Sequence, residues 1–174
     1  MGILTRIAYL LPRATRLNLY YALIYPYLTY CNMVWAATYA SRLSRLIILQ
    51  KRAVRLVAGI KRWDHSGPSF LELRLLRLDQ IRDFQIGEFY YRLEHGLLPP
   101  IFGGFLQHVS DIHSYSTRNS SAYRPVSAHT NTRRFTVKSY GTNVWNKIPP
   151  ALRLTNNLFS FKKKLRTLLL SSMY

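Results

Sequence analysis

The side chains in this sequence that could act chemically are mostly cationic, and their spacing suits anion binding better than bond breaking. From Arg42 to Arg62 the chain reads RLSRLIILQKRAVRLVAGIKR. At helical spacing Leu43, Leu46, Ile47, Ala53, Val54 and Val57 form one stripe, and Arg45, Lys51, Arg52 and Arg55 fall on the opposite side. A solvated helix normally mixes the signs of its charges, yet no Asp or Glu occurs between Met1 and Trp63. The uncompensated face is a candidate phosphate-binding surface, extended by Lys61 and Arg62 just beyond it. Arg133, Arg134, Lys138, Lys162, Lys163, Lys164 and Arg166 form a second candidate patch. Between the two, Tyr115 and Tyr123 either stack on unpaired bases or pack their own loop.

Other chemistry finds little support. His65, His95, His108, His113 and His129 are scattered without the spacing of metal ligands. Asp64-His65 is the tightest acid and histidine pair, but adjacent residues before Gly67-Pro68 read as a turn rather than a catalytic dyad. Asp79 and Asp83 share a helix on which solvation explains them. No Gly-rich phosphate loop or nucleophile elbow is present. Cys31 stands alone, so neither a disulfide framework nor a zinc knuckle is possible. We expect no cofactor, no metal, no small-molecule substrate and no catalysis by this chain alone.

The formal charge of +18 over 174 residues exceeds what solubility requires, and a polyanionic partner would relieve the self-repulsion. All seven acids, from Asp64 to Asp111, lie in the middle of the chain, leaving two basic ends. Leu17 to Ser41 is uncharged and long enough to span a bilayer, but Asn18, Pro26, Thr29, Asn32 and six tyrosines argue against a membrane span. Position 6 is arginine, which excludes myristoylation, and no cleavage site for a signal peptide follows. A reducing, intracellular setting, nuclear or cytoplasmic, fits the lone cysteine.

Helices must position these cations. Gly2 to Leu11 reads as a short amphipathic helix, interrupted by Pro12 before a second helix that kinks at Pro26. Beyond the central basic helix and the WDHSGP loop, Ser69 and Glu72 match a capping box. Asp79 suits the N-cap of a helix carrying Ile81, Phe84, Ile86, Phe89, Tyr90 and Leu93, which ends at Gly96. Ser110 to Thr132 lacks periodicity and reads as an extended loop; its Asn119-Ser120-Ser121 sequon is coincidental. Arg134 to Tyr140 alternates like one short strand, turned by Gly141-Thr142 into a brief helix with Trp145. A basic helix from Leu158 to Leu170 closes the chain. The expectation is a mainly α protein: a helical bundle over residues 1–110, a linker over 111–132, and a strand-helix module over 133–174.

Several segments in this order resemble the C-terminal part of LINE-type, non-LTR retrotransposon reverse transcriptases of the jockey-like and chicken-repeat-like kind. They are LYYALIYPYLTYCNMVW (Leu19 to Trp35), RLSRLIILQKRAVRLVAG (Arg42 to Gly59), HSYSTRN (His113 to Asn119), RRFTVKSYGTNVWNKIP (Arg133 to Pro149) and SFKKKLRTLLL (Ser160 to Leu170). Cys31 departs from the family, which often has glycine there. The resemblance implies a helical thumb plus a C-terminal extension, gripping template and growing strand. The fingers and palm of that family, whose paired aspartates hold the two metal ions of polymerisation, are not in this sequence, nor is its endonuclease domain.

The function expected is therefore sequence-independent binding of an RNA or RNA/DNA backbone by a non-catalytic fragment of an RNA-directed DNA polymerase. Palm and fingers would be further partners if the full element is expressed. Two alternatives stay open: a peripheral membrane protein laying its basic faces on anionic lipid, and a decayed element fragment without a selected function.

Overall fold

The computed structural model describes residues 2–111 and 122–172, and over these the protein is mainly helical. Eleven α-helices are present among the described residues: α1 Gly2–Ile7, α2 Arg13–Leu23, α3 Tyr25–Thr29, α4 Asn32–Trp35, α5 Ala40–Ala58, α6 Gly67–Glu72, α7 Leu78–Glu94, α8 Asn131–Arg134, α9 Val137–Lys147, α10 Pro150–Arg153 and α11 Leu158–Ser171. Backbone contacts gather them into two compact units, Met1–Arg82 with Leu169–Tyr174, and Asp83–Leu168. The boundary expected near residue 110 lies inside the second of these.

In the first unit, the uncharged N-terminal stretch is three helices rather than one kinked helix. Pro26 has no N–H to continue α2, so the chain restarts with Pro26 in the first turn of α3. It breaks again at Cys31, whose left-handed backbone (φ 47°) separates α3 from α4. Asn32 then points inward, fully buried, and its side-chain amide donates to the Leu28 carbonyl at 2.5 Å. No helix among the described residues is long and apolar enough to cross a membrane.

Helix α5 starts after Tyr39 and stops at Gly59, whose positive φ of 75° lets the Gly59 and Ile60 amides both close on the Arg55 carbonyl. Arg16 covers this end, donating through Nη1 to the Leu56 carbonyl at 2.8 Å, where a cation meets the negative end of the helix dipole. The buried row of α5 is Leu43, Gln50, Ala53, Val54 and Val57. Leu46, expected on that row, is 36 % exposed, while Gln50 sits at its centre.

The residues three and four positions from Gln50 on its own helix, Leu46, Ile47, Ala53 and Val54, are all apolar, and it takes partners from elsewhere. Its amide nitrogen donates to the Leu76 carbonyl at 3.0 Å and to the Tyr20 hydroxyl at 3.3 Å, and its oxygen accepts the Leu78 amide at 3.0 Å. Burial raises the Tyr20 hydroxyl to about 12, against the opposing hydrogen bond from Gln50. Leu75, Leu76 and Leu78 enclose the site, so water cannot replace these bonds.

Two expected caps take other forms. Pro68 presets helical φ and starts α6 at Gly67, so Ser69 lies buried inside the helix and Glu72 pairs with Arg13 at 2.5 Å instead of capping. Helix α7 begins at Leu78, which places Asp79 in its first turn and leaves Gln80 Oε1 to accept the Arg77 amide at 3.0 Å.

The second unit holds the largest aromatic core. Trp145, Tyr90, Tyr91 and Phe161 are all buried, and the Tyr91 and Phe161 rings stack at 4.4 Å. None of residues 81–93 is exposed, which is why this stretch of α7 carries apolar side chains on every side. Asp83, expected to be solvated, accepts the Tyr140 hydroxyl at 3.0 Å. The strand expected over Arg134 to Tyr140 does not form. Thr136 instead accepts the Ser139 amide and caps α9, as Thr130 caps α8, so the alternation reflects cap residues beside a helix start. Gly141 lies within α9 and does not turn the chain: a Cβ there would come 2.7 Å from the Tyr90 ring. The only β-pairing among the described residues is an isolated bridge between His108 and Tyr123.

Replacing Gln50 with Leu leaves the Leu76 carbonyl and the Leu78 amide buried without partners, and is expected to cost about 2–4 kcal/mol, read as a lower urea midpoint. Replacing Cys31 with Gly removes the left-handed strain of a residue with a Cβ and should stabilise by about 1 kcal/mol in the same assay.

Candidate nucleic-acid interface

Arg45, Lys51 and Arg52 all project into solvent from α5. Arg45 and Arg52 are seven residues apart, so they share a side of the helix about 10 Å apart along its axis. No acid among the described residues forms an ion pair with any of the three. Arg55 differs: it is half-buried, and its Nε donates to the Asp64 carbonyl at 2.7 Å, which fixes the guanidinium against the loop after α5. Arg52, Arg55 and Arg62 line a surface groove of about 410 Å³ whose apolar wall is Leu49, Leu56 and Ile60. The structure thus brings three of the expected contacts together.

Lys61 and Arg62 are exposed, and the Lys61 ammonium lies 5.9 Å from the ring centre of Trp63. Trp63 is 80 % exposed, an open aromatic face beside two cations. Sequence reasoning passed over it as the first residue of a loop. The available signal was a tryptophan directly following Lys61-Arg62 and preceding a Gly-Pro turn, where no core can claim it.

Tyr123 is a correction. The residue is buried, its hydroxyl donates to Glu94, its ring stacks on His108 at 4.3 Å, and its backbone exchanges hydrogen bonds with the Asn146 side chain. Burial and the Glu94 carboxylate push its hydroxyl far above the ordinary tyrosine range, so it stays protonated and inside. It packs the loop and cannot stack on a base. Tyr115 lies outside the described residues.

The second patch separates into parts. Arg133, Arg134 and Lys138 are exposed on α8 and the first turn of α9, and the Lys138 ammonium stands 5.4 Å from the Phe105 ring centre. Arg133 and Lys138 line a cleft of about 290 Å³ together with Arg124, a residue of the Ser110 to Thr132 loop that is not among the candidate contacts read from the sequence. An aperiodic loop gives no face to assign. The cations of α11 do not line this cleft. Lys163 and Lys164 are exposed, Arg166 is half-buried, and Lys162 pairs with Glu88 at 2.9 Å beside the Phe84 ring. Lys162 is therefore partly neutralised at its own position.

Asp64 and His65 serve their own turn. Asp64 Oδ2 accepts the Lys61 amide at 2.8 Å, and His65 Nδ1 accepts the Gly67 amide at 3.3 Å. Among the described residues no group of three or more His, Cys, Asp or Glu side chains is arranged to hold a metal ion. Comparison with protein-family models, with curated proteins and with solved structures finds no match. The fold and its surface define a mainly α, strongly basic protein with one cationic helix face and one cationic cleft.

Glu88 offers a check on the α11 assignment. Burial disfavours its charge, but hydrogen bonds from Lys162 and Arg92 outweigh that and hold the carboxyl below its ordinary value. A depressed folded-state pKa contributes stability above the unfolded value, about 4.3, which is lost as pH falls through the folded one. Replacing Lys162 with Met should raise the Glu88 pKa, seen by NMR titration of the carboxyl carbon, and should shift the onset of acid unfolding to higher pH.

Proposed function

We propose that this chain binds the sugar-phosphate backbone of RNA or an RNA/DNA duplex without reading sequence, as a non-catalytic piece of a non-LTR retrotransposon reverse transcriptase. In this reading it grips rather than polymerises. The observation that carries the proposal is the set of outward cations Arg45, Lys51 and Arg52 on one helix, with no acid among the described residues paired to them, continued by Lys61, Arg62 and the open ring of Trp63. A helix holds the backbone of these cations at fixed spacing, so contact with phosphates has to order only their side chains. Support for the family comes from Cys31: its left-handed backbone is a conformation suited to the glycine that the resembled proteins often carry there.

A second reading has one observation in its favour. Tyr27, Tyr30 and Val34, on and between α3 and α4, are 81, 77 and 67 % exposed, an apolar surface that could lie on an anionic bilayer. Firm retention in the membrane pellet on carbonate extraction would favour it over nucleic acid.

The test of the main reading is affinity for a labelled RNA/DNA hybrid, measured by fluorescence anisotropy over a series of salt concentrations. Each phosphate neutralised contributes roughly 0.7–0.9 to the slope of log K against log salt. The triple substitution Lys51→Ala, Arg52→Ala, Arg55→Ala should weaken binding and flatten the slope by about 2. Unchanged affinity and slope would remove α5 as the contact surface.

A further inference from the structure

We infer that the cleft of the second unit between Arg124, Arg133 and Lys138 is a binding site for a phosphomonoester, the chemistry of a phosphorylated nucleic-acid end or of a free phosphorylated small molecule. Three cations line it, Gln107 and Ser127 among the other lining residues carry neutral donors, and no carboxylate is among its described lining residues. The two acids of the unit closest in sequence to Gln107 and Arg124 each hold a neighbouring residue, Asp111 accepting the His108 amide and Glu94 the Tyr123 hydroxyl, and neither lines the cleft.

The walls are fixed by backbone. The Arg124 amide donates to the Gln107 carbonyl at 2.9 Å and the Val109 amide to the Ala122 carbonyl at 3.0 Å, which joins the two segments carrying Gln107, Arg124 and Ser127. Across from them, the Thr130 and Thr136 caps set the starts of α8 and α9, from which Arg133 and Lys138 project. Phe105 stands beside the Lys138 ammonium. These cations therefore border a defined recess, unlike the open row of α5.

Charge and donor count select the ligand. An internal phosphodiester carries a single negative charge and two unesterified oxygens, so it offsets less of the charge of the three cations. A phosphomonoester carries about −1.5 to −2 charges at neutral pH and three free oxygens, which matches three cations and two neutral donors. Its second ionisation lies near pH 6, so binding of a phosphomonoester should weaken as the pH falls below about 6.

The site is independent of the helix surface proposed above, and the experiment separates them. The full chain is titrated with one short oligonucleotide in three forms, ending in 5′-phosphate, 3′-phosphate or hydroxyls, and separately with inorganic phosphate. A phosphorylated end should bind about tenfold tighter than the hydroxyl form, about 1.4 kcal/mol. Inorganic phosphate should shift the Arg124 and Ser127 amide resonances. The pair Arg133→Gln, Lys138→Gln should abolish the end preference, while the charge-preserving Lys138→Arg keeps most of it. The triple substitution in α5 should lower affinity for all three forms and leave the preference intact. Phosphate-induced shifts without any end preference would assign the site to small phosphorylated molecules. Equal affinity for all ends, together with no resonance shift in phosphate, overturns the inference.

Discussion

The carboxamide of Gln50 is the interaction on which the first unit depends. One buried side chain on α5 satisfies the carbonyl of Leu76 and the amide of Leu78, and reaches the hydroxyl of Tyr20 on α2. Leaving either backbone group unpaired in this apolar setting would cost more than a solvated hydrogen bond returns. The register of α5 is therefore set by a polar requirement at its centre, with Leu43, Val54 and Val57 packing to either side. Once Gln50 points inward, helical geometry directs Arg45 and Arg52 outward.

Acids and bases are divided accordingly. Glu88 answers Arg92 and Lys162, Glu72 answers Arg13, Glu94 and Asp83 accept tyrosine hydroxyls, and Asp64 and Asp111 hold backbone amides. Nearly every carboxylate has a structural task. Among the described residues, the cations of α5 and those around the cleft by Arg124 have no carboxylate paired to them, which makes them available to an external anion.

The parts of this arrangement legible in the sequence were those carried by local rules. The period of α5, the end of α7 at Gly96 and the terminal helix α11 all follow from spacing and end residues within a few positions. What escaped depends on groups distant along the chain. Gln50 reads as a break in an apolar stripe until Leu76 and Leu78 are placed beside it. For Tyr123 the sequence leaves base stacking and loop packing both open until Glu94 and His108 enclose it. The misread strand shows a conflict between local rules: Thr136 suits both β alternation and a helix cap, and only the packing of α9 against Tyr90 at Gly141 decides between them. Arg124 and Trp63 were visible as residue types but had no periodic element to give them a direction.

The outward spacing of Arg45 and Arg52, about 10 Å along the axis, is close to the Debye length of a physiological electrolyte. Their mutual repulsion is thus tuned by the dissolved ions around the folded chain. An anion that associates only with the native form adds a stabilisation that grows logarithmically with its concentration. For this helix the concentration of dissolved salt is thus one of the terms that sets the charge repulsion within the folded chain.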